Sequence, residues 1–166
     1  MKKAINNIIR QLLKVIWVIL IGFLIYLFPR SEIVQLAGTE VKRMDQKMFW
    51  GEKLQDVRFI VARGYASGET IMFRNQDFVF PPYFKFDSGD LLGKVMNMEN
   101  FKPEQKVLIT YYGFRVPIFS LYPNATSVKR YSNADEKNFA LYISAALLLI
   151  IIMGYGYLHY RILKYL

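Results

Sequence analysis

The strongest pattern along the chain is an uncharged, proline-free run of 20 residues from Phe139 to Leu158, FALYISAALLLIIIMGYGYL. It is apolar on every helical face. At 1.5 Å rise per residue such a helix reaches roughly 30 Å, about the thickness of a bilayer's hydrocarbon core, so the pattern predicts a transmembrane helix. A second apolar run of 14 residues covers Val15 to Phe28. Alone it has the length of a signal-peptide core or a short buried helix. Leu12 and Leu13 extend it, and Lys14 can reach the headgroups with its ammonium. No small-residue cleavage site follows, only Phe28-Pro29-Arg30. The favoured reading is an uncleaved signal anchor that Pro29 terminates.

Between the runs the pattern is mixed. Ile33 to Met44 alternates, but its apolar face switches near Gly38, which predicts a strand bent or bulged at that glycine. Asp45 to Asp56 reads as a polar connection around Phe49, Trp50 and Gly51. Val57 to Arg63 alternates again, Gly64 to Gly68 is a turn, and Glu69 to Arg74 completes a hairpin. Asn75 to Phe86 is aromatic and irregular around Pro81-Pro82. Asp87 or Ser88 then caps a helix, with Asp90 in its positive first turn. Leu91, Val95 and Met98 make one apolar stripe, and the helix ends near Glu99. Lys106 to Tyr112 is a strand that Gly113 turns or bulges. Phe114 to Leu121 continues extended around Pro117, and Ala125 to Tyr131 is the last strand.

This order predicts an α+β membrane protein in which two transmembrane helices flank a small, mainly β barrel domain. A long bent strand, a hairpin, a helix and two further strands is the order of an OB-like barrel, with its one helix between strands 3 and 4. An SH3-like barrel or a small α+β sandwich is the alternative. The expected boundaries are 1–29 for a basic cytoplasmic N-terminus and first span, 30–138 for the β domain, and 139–166 for the second span and a basic tail.

Charge sets the orientation. All 13 acidic residues lie between Glu32 and Glu136. Lys2, Lys3, Arg10 and Lys14 precede the first span, and Arg161 and Lys164 follow the second. Basic residues in short flanks mark the cytoplasmic side, whereas long loops translocate largely regardless of charge. The expected topology is therefore two-pass, with both termini cytoplasmic and the central domain outside the cytoplasm; in a Gram-negative cell that is a bacterial inner-membrane protein with a periplasmic domain. A pI near 9.7 is explained by these flanks, so no nucleic-acid partner is expected.

Composition removes several chemistries. Cysteine is absent and His159 is the only histidine. That excludes a disulfide, a thiolate or histidine-cluster metal site, and a Ser-His-acid triad in the central domain. Asp87 and Asp90 fit helix capping better than paired-acid hydrolysis. No catalytic, metal-binding or cofactor-binding residue is expected, and no cofactor. The candidates are aromatic and basic. Tyr83, Tyr112, Arg115, Lys129 and Arg130 form a candidate ligand or partner face, because barrels of this type use aromatic groups to stack and basic groups to hold polar ends. The opposing reading is that the aromatics fill the core; Tyr111 and Tyr112 point to opposite faces of a regular strand, so at most one of them does. Ser144, Ala145, Gly154 and Gly156 are candidates for close helix packing, on the first span or on a partner's helix.

Several stretches occur together: Ala37 to Arg43, Asp56 to Ile60, Phe73-Arg74-Asn75, Pro81 to Ser88, and Tyr111 to Pro117. In this combination the chain resembles a domain-of-unknown-function family of small bacterial inner-membrane proteins with an exported β domain. The resemblance covers roughly residues 25 to 131 and implies a bacterial envelope protein; it brings no activity and no catalytic residue. The expected function is a membrane-anchored periplasmic interaction module, an accessory or assembly subunit of an envelope complex. The alternative is a binding module for a cell-envelope glycan or lipid headgroup, and an enzyme is the least favoured class. The expected partners are the membrane and another envelope protein or complex, and a homo-oligomer is compatible with the pattern.

Overall fold

A computed structural model describes residues 2–48, 51–77, 85–99, 105–132 and 134–165. The elements are α1 (Lys2–Leu27), β1 (Arg30–Met48), β2 (Gly51–Gly64), β3 (Thr70–Asn75), α2 (Ser88–Glu99), β4 (Lys106–Tyr112), a short 3-10 turn (Pro117–Phe119), β5 (Asn124–Arg130) and α3 (Ala134–Tyr165). They divide into two compact units, one of Met1–Phe28 with Asn138–Leu166 and one of Pro29–Lys137.

In the helical unit, α1 stops where Pro29 cannot continue it, and the Phe28 amide closes the last turn on the Ile25 carbonyl at 3.3 Å. Asn6–Leu27 is long and apolar enough to cross a membrane, and its position near the N-terminus also suits a signal sequence. The expectation of two full spans is met at this one helix. Among the described residues the apolar part of α3 is shorter, Leu148–Leu158. Trp17 and Tyr155 pack ring to ring at 4.0 Å. Of the small residues expected to mediate close helix approach, the two glycines have no close described neighbour within this unit. A Cβ built on Gly154 or Gly156 would meet nothing within 4 Å, and Ala145 is half-buried. The side chain of Ser144 lies outside the described residues.

In the β unit, five strands form one sheet in the order β1-β2-β3-β5-β4, and β1 also pairs with β4, so the sheet closes into a barrel. A single strand can serve both neighbours because it bends. The register between β1 and β2 shifts between Leu36 and Gly38, and Gly38 has φ +149°, a backbone conformation that a side chain disfavours. This is the bulge the alternation predicts.

The core follows from period-2 strands and one amphipathic helix. Ile60 and Ala62 of β2, Phe73 of β3, Val107 and Ile109 of β4, and Ala125 and Val128 of β5 cluster with Val34. Leu91 and Val95 of α2 complete the cluster, with Met98 packed beside it. The predicted stripe therefore faces the core. Burial of each Val, Leu, Ile or Phe side chain in this cluster stabilises the fold by about 1.5–3 kcal/mol.

Two segments differ from the sequence expectation. Asp45 to Asp56 is not a connection. β1 and β2 stay paired through it, from Arg43↔Asp56 to Met48↔Gly51. Alternating apolar residues report a strand over a core, and this ribbon runs past the last β1–β4 pair, Gln35↔Lys106, so no apolar face was required. Phe114 to Leu121 is not extended. Gly113 turns the chain with φ +86°, and the 3-10 turn follows, held by a bridge between Val116 and Leu121. The aromatic stretch Phe78 to Phe84, and Phe49 and Trp50, lie outside the described residues.

The weakest ladder is the closing one. β3 and β5 run parallel and share one pair, Arg74↔Asn124. Asn124 is fully buried and reinforces that seam with its side chain. Its Oδ1 accepts from the Gln76 amide at 3.2 Å, and its Nδ2 donates to the Gln76 carbonyl and to the Tyr112 hydroxyl, each at 3.0 Å. Asn124→Ala is expected to cost about 2–4 kcal/mol, because buried backbone partners are left unpaired. Urea unfolding of the variant measures this, against Val41→Ala on the exposed ribbon, where a change below about 0.5 kcal/mol is expected.

Candidate functional site

Beyond Phe73, alternation would place the next core-facing side chain of β3 at Asn75. That position lies at the mouth of the barrel, beside the first turn of α2. Asn75, Gln76 and Lys85 are all buried there. Lys85 Nζ donates to Asn75 Oδ1, and Asn75 Nδ2 donates to the Ser88 carbonyl at 2.9 Å. Asp77 accepts from the Ser88 amide at 2.8 Å and from its hydroxyl at 2.7 Å. A carboxylate from the end of the hairpin thus satisfies the helix N-terminus from outside the helix. Asp87 still takes the local capping position, with its carbonyl accepting from the Leu91 amide at 3.0 Å.

Asn75, Gln76, Asp77 and Ser88 border a cavity of about 350 Å³ whose lining is completed by Val41, Gln55, Asp56, Val57 and Arg58. The volume lies within the range of small-molecule sites. The lining is mostly polar, and Gln76 Nε2 donates to Gln55 Oε1 at 3.2 Å across it. Amides, a hydroxyl, carboxylates and a guanidinium offer both donors and acceptors, which suits a polar ligand held by hydrogen bonds.

Lys85 carries the clearest electrostatic signature. Burial lowers its pKa from 10.5 to about 8, against the opposing pull of the Asp87 and Asp77 carboxylates. The Asp87 carboxylate lies 3.9 Å from the ammonium. Tyr111 titrates above the ordinary phenol range, chiefly through burial and then through Glu32, whose carboxylate receives its hydroxyl at 3.5 Å.

Among the described residues, the aromatic and basic candidates do not form one face. Tyr112 is buried, with 5 % of its surface exposed, and its hydroxyl is engaged by Asn124. Tyr111 packs on the core cluster with its ring 5.0 Å from Phe73. Neither is the free surface aromatic that strict alternation predicts, because the outer side of β4 is itself covered. Phe59, on the non-core face of β2, is fully buried and meets Tyr122 edge-on at 4.8 Å. Arg115 is exposed but braces this cover. Its guanidinium lies 3.8 Å above the Tyr122 ring and donates to the Leu121 carbonyl at 3.0 Å. Lys129 and Arg130 are exposed at the far end of β5, opposite Leu108 and Val107. Measured along β4, they lie about 13 Å and about 17 Å from the Tyr112↔Asn124 pair. Tyr83 lies outside the described residues.

The residues that do converge, Asn75, Gln76, Lys85 and Ser88, were not singled out as a site from the sequence. The available signal was Asn75, a polar residue on the core-facing parity of β3 after Ile71 and Phe73. Asn75, Lys85 and Ser88 do fall within the stretches Phe73-Arg74-Asn75 and Pro81 to Ser88 that carry the family resemblance.

A family model described as "Protein of unknown function (DUF1523)" matches residues 5–165. The chain belongs to this family. An uncharacterized protein of Haemophilus influenzae (strain ATCC 51907 / DSM 11121 / KW20 / Rd) is 32% identical over 118 residues, covering 66% of each chain. The chain thus spans slightly less than two thirds of that relative's length. No solved structure matches. Membership in the DUF1523 family covers both helices and the barrel.

The Lys85 environment gives a pH dependence of known sign. With a folded pKa near 8 and an unfolded value near 10.4, the unfolded chain binds more protons between these limits, so stability rises with pH across that window. Lys85→Met is expected to flatten the rise between pH 8 and 10.5. Urea midpoints of both proteins across that range measure the difference, and parallel curves would remove the claim.

Proposed function

We propose that this chain is a membrane-anchored interaction module of the bacterial envelope, an accessory or assembly subunit of a larger complex. In this reading α1 is an uncleaved anchor and the apolar part of α3 is a second span. Both termini are cytoplasmic and the barrel is periplasmic. The basic flanks support this orientation. The closed order β1-β2-β3-β5-β4, with α2 between β3 and β4, supports an OB-like barrel.

The observation that carries the reading is the β1–β2 ribbon. Past Gln35 β1 has no β4 pair, and before Arg58 β2 has no β3 pair, among the described residues. The ribbon therefore has backbone donors and acceptors along two edges, the arrangement that accepts an added strand from a partner. Val41 and Leu54 are exposed on it, while Lys42 and Arg43 discourage indiscriminate self-pairing. A photocrosslinker at Val41 or Leu54, in native membranes, is expected to trap a discrete envelope protein, and one at Ala66 in the β2–β3 turn is not. Capture of nothing at all three positions would sink the reading. For topology, a reporter active only in the cytoplasm and inserted near Gly68 should stay silent.

The polar cavity favours a second reading, a module that binds an envelope glycan or lipid headgroup. Titration with soluble cell-wall saccharides and headgroup analogues tests it. Gln55→Ala is expected to weaken binding about tenfold, since a lost hydrogen bond leaves its partner unpaired. Equal affinity of the variant would count against the cavity.

A further inference from the structure

The loop between Gly113 and Pro123 holds two of the most exposed large apolar side chains among the described residues of the β unit. Ile118 is 88 % and Phe119 72 % exposed. Single exposed apolar residues are ordinary. These two are adjacent, and the chain around them is built to hold them out. Val116 and Leu121 exchange both backbone hydrogen bonds, each at 3.1 Å, which closes a neck beneath the 3-10 turn. Within it the Phe119 amide donates to the Val116 carbonyl at 3.2 Å and the Ser120 amide to the Pro117 carbonyl at 3.0 Å. Ser120 has φ +49°, a left-handed conformation that is uncommon outside glycine. Arg115 locks the neck from outside through the Leu121 carbonyl and the Tyr122 ring, and Tyr122 rests on buried Phe59. A loop selected only to connect β4 to β5 needs none of this bracing.

The position of the loop says what it meets. It springs from the end of β4 at Tyr112. The neighbouring Tyr111 pairs with Arg30, the first residue of β1. The Arg30 guanidinium lies 4.1 Å from the Phe114 ring at the base of the loop. Arg30 is three residues beyond Leu27, the last residue of α1, and that much chain spans at most about 11 Å. If α1 crosses a bilayer, the root of the loop is tethered at the headgroup layer. The side chains there have the matching chemistry. Arg30 and Arg115 can meet lipid phosphates, Phe114 and Tyr122 suit the interface, and Ile118 and Phe119 suit the acyl boundary.

We propose that Pro117–Phe119 is a lipid-docking prong that seats Ile118 and Phe119 in the headgroup–acyl boundary of the membrane that holds α1. The proposal rests on the membrane-anchor reading and adds a second point of attachment. It makes the barrel a body pinned to the bilayer at the root of β1, not one swinging on a linker. The function of the prong is to fix which faces of the barrel a neighbour in the membrane can reach.

The absence of cysteine makes the test direct. Full-length Ile118→Cys, Phe119→Cys and, as a control, Ala66→Cys are labelled with an environment-sensitive fluorophore. Each is reconstituted in vesicles of phosphatidylethanolamine and phosphatidylglycerol, with and without lipids that carry a quencher on the acyl chain. The labels at 118 and 119 are expected to shift to the blue and to be quenched roughly twofold or more beyond the label at 66, as for groups seated about 5–10 Å into the interface. Adding Arg115→Gln, which unlocks the neck, should reduce that quenching while leaving the barrel's circular dichroism unchanged. Alkaline carbonate extraction separates the two claims. A chain that leaves the membrane overturns the anchor reading. A chain that stays embedded with labels at 118 and 119 as aqueous as that at 66 overturns the prong alone. Blue-shifted labels that lipid quenchers do not reach would mean that protein covers the loop, and would also overturn it.

Discussion

Closure of the sheet depends on one buried amide. β1, β2, β4 and β5 are joined by antiparallel ladders of several pairs each, but the seam between β3 and β5 has a single parallel pair. Asn124 supplies what that ladder lacks. Its side chain presents an acceptor and a donor to the backbone of Gln76 and a further donor contact to Tyr112, so one residue ties three strand ends together. The Arg74 amide adds a bond to the Pro123 carbonyl at 2.7 Å. In a buried setting such a network is worth more than its separate bonds, because each unpaired member would carry a full desolvation cost.

That seam also explains why polar chemistry gathers where it does. The barrel's interior is apolar through Phe73 and Ile109, then ends at Asn75, where α2 arrives. A helix N-terminus brings amides without intrahelical partners to the barrel mouth, and Asp77 answers that of Ser88 from the end of the hairpin. Lys85 is buried against the same groups and is held with a weakened preference for its charge. The cavity beside them is bounded by the ribbon on one side and the closing seam on the other. Its shape therefore depends on both the bend at Gly38 and the tie at Asn124.

On its outer side the barrel is not bare either. Phe59, Arg74, Asn124 and Tyr112 stand in register across four strands, and all are buried. The loop carrying Tyr122 and Arg115 lies over this row. A five-stranded barrel of this length has few interior positions, and this second layer extends the buried apolar surface that a small domain otherwise lacks. It also holds Ile118 and Phe119 away from the core.

Much of this architecture was legible in residue order alone. Strand alternation, the switch of apolar face at Gly38, the Leu91-Val95-Met98 stripe and the apolar length of α1 are local properties, fixed by the period of a strand or helix and by the steric limits of glycine and proline. The tertiary structure decided what depends on distant partners. It paired the polar Asp45 to Asp56 segment into a ribbon, because backbone hydrogen bonds need no apolar side chains. It buried Tyr112 by laying a loop over the outer face, which no periodicity within β4 can report. It also separated Lys129 and Arg130 from Tyr112, and brought together Asn75, Gln76, Lys85 and Ser88 from segments that are not adjacent in sequence. Sequence patterns record which face of an element is apolar; a site is a meeting of several elements, and closure of the sheet is what set that meeting.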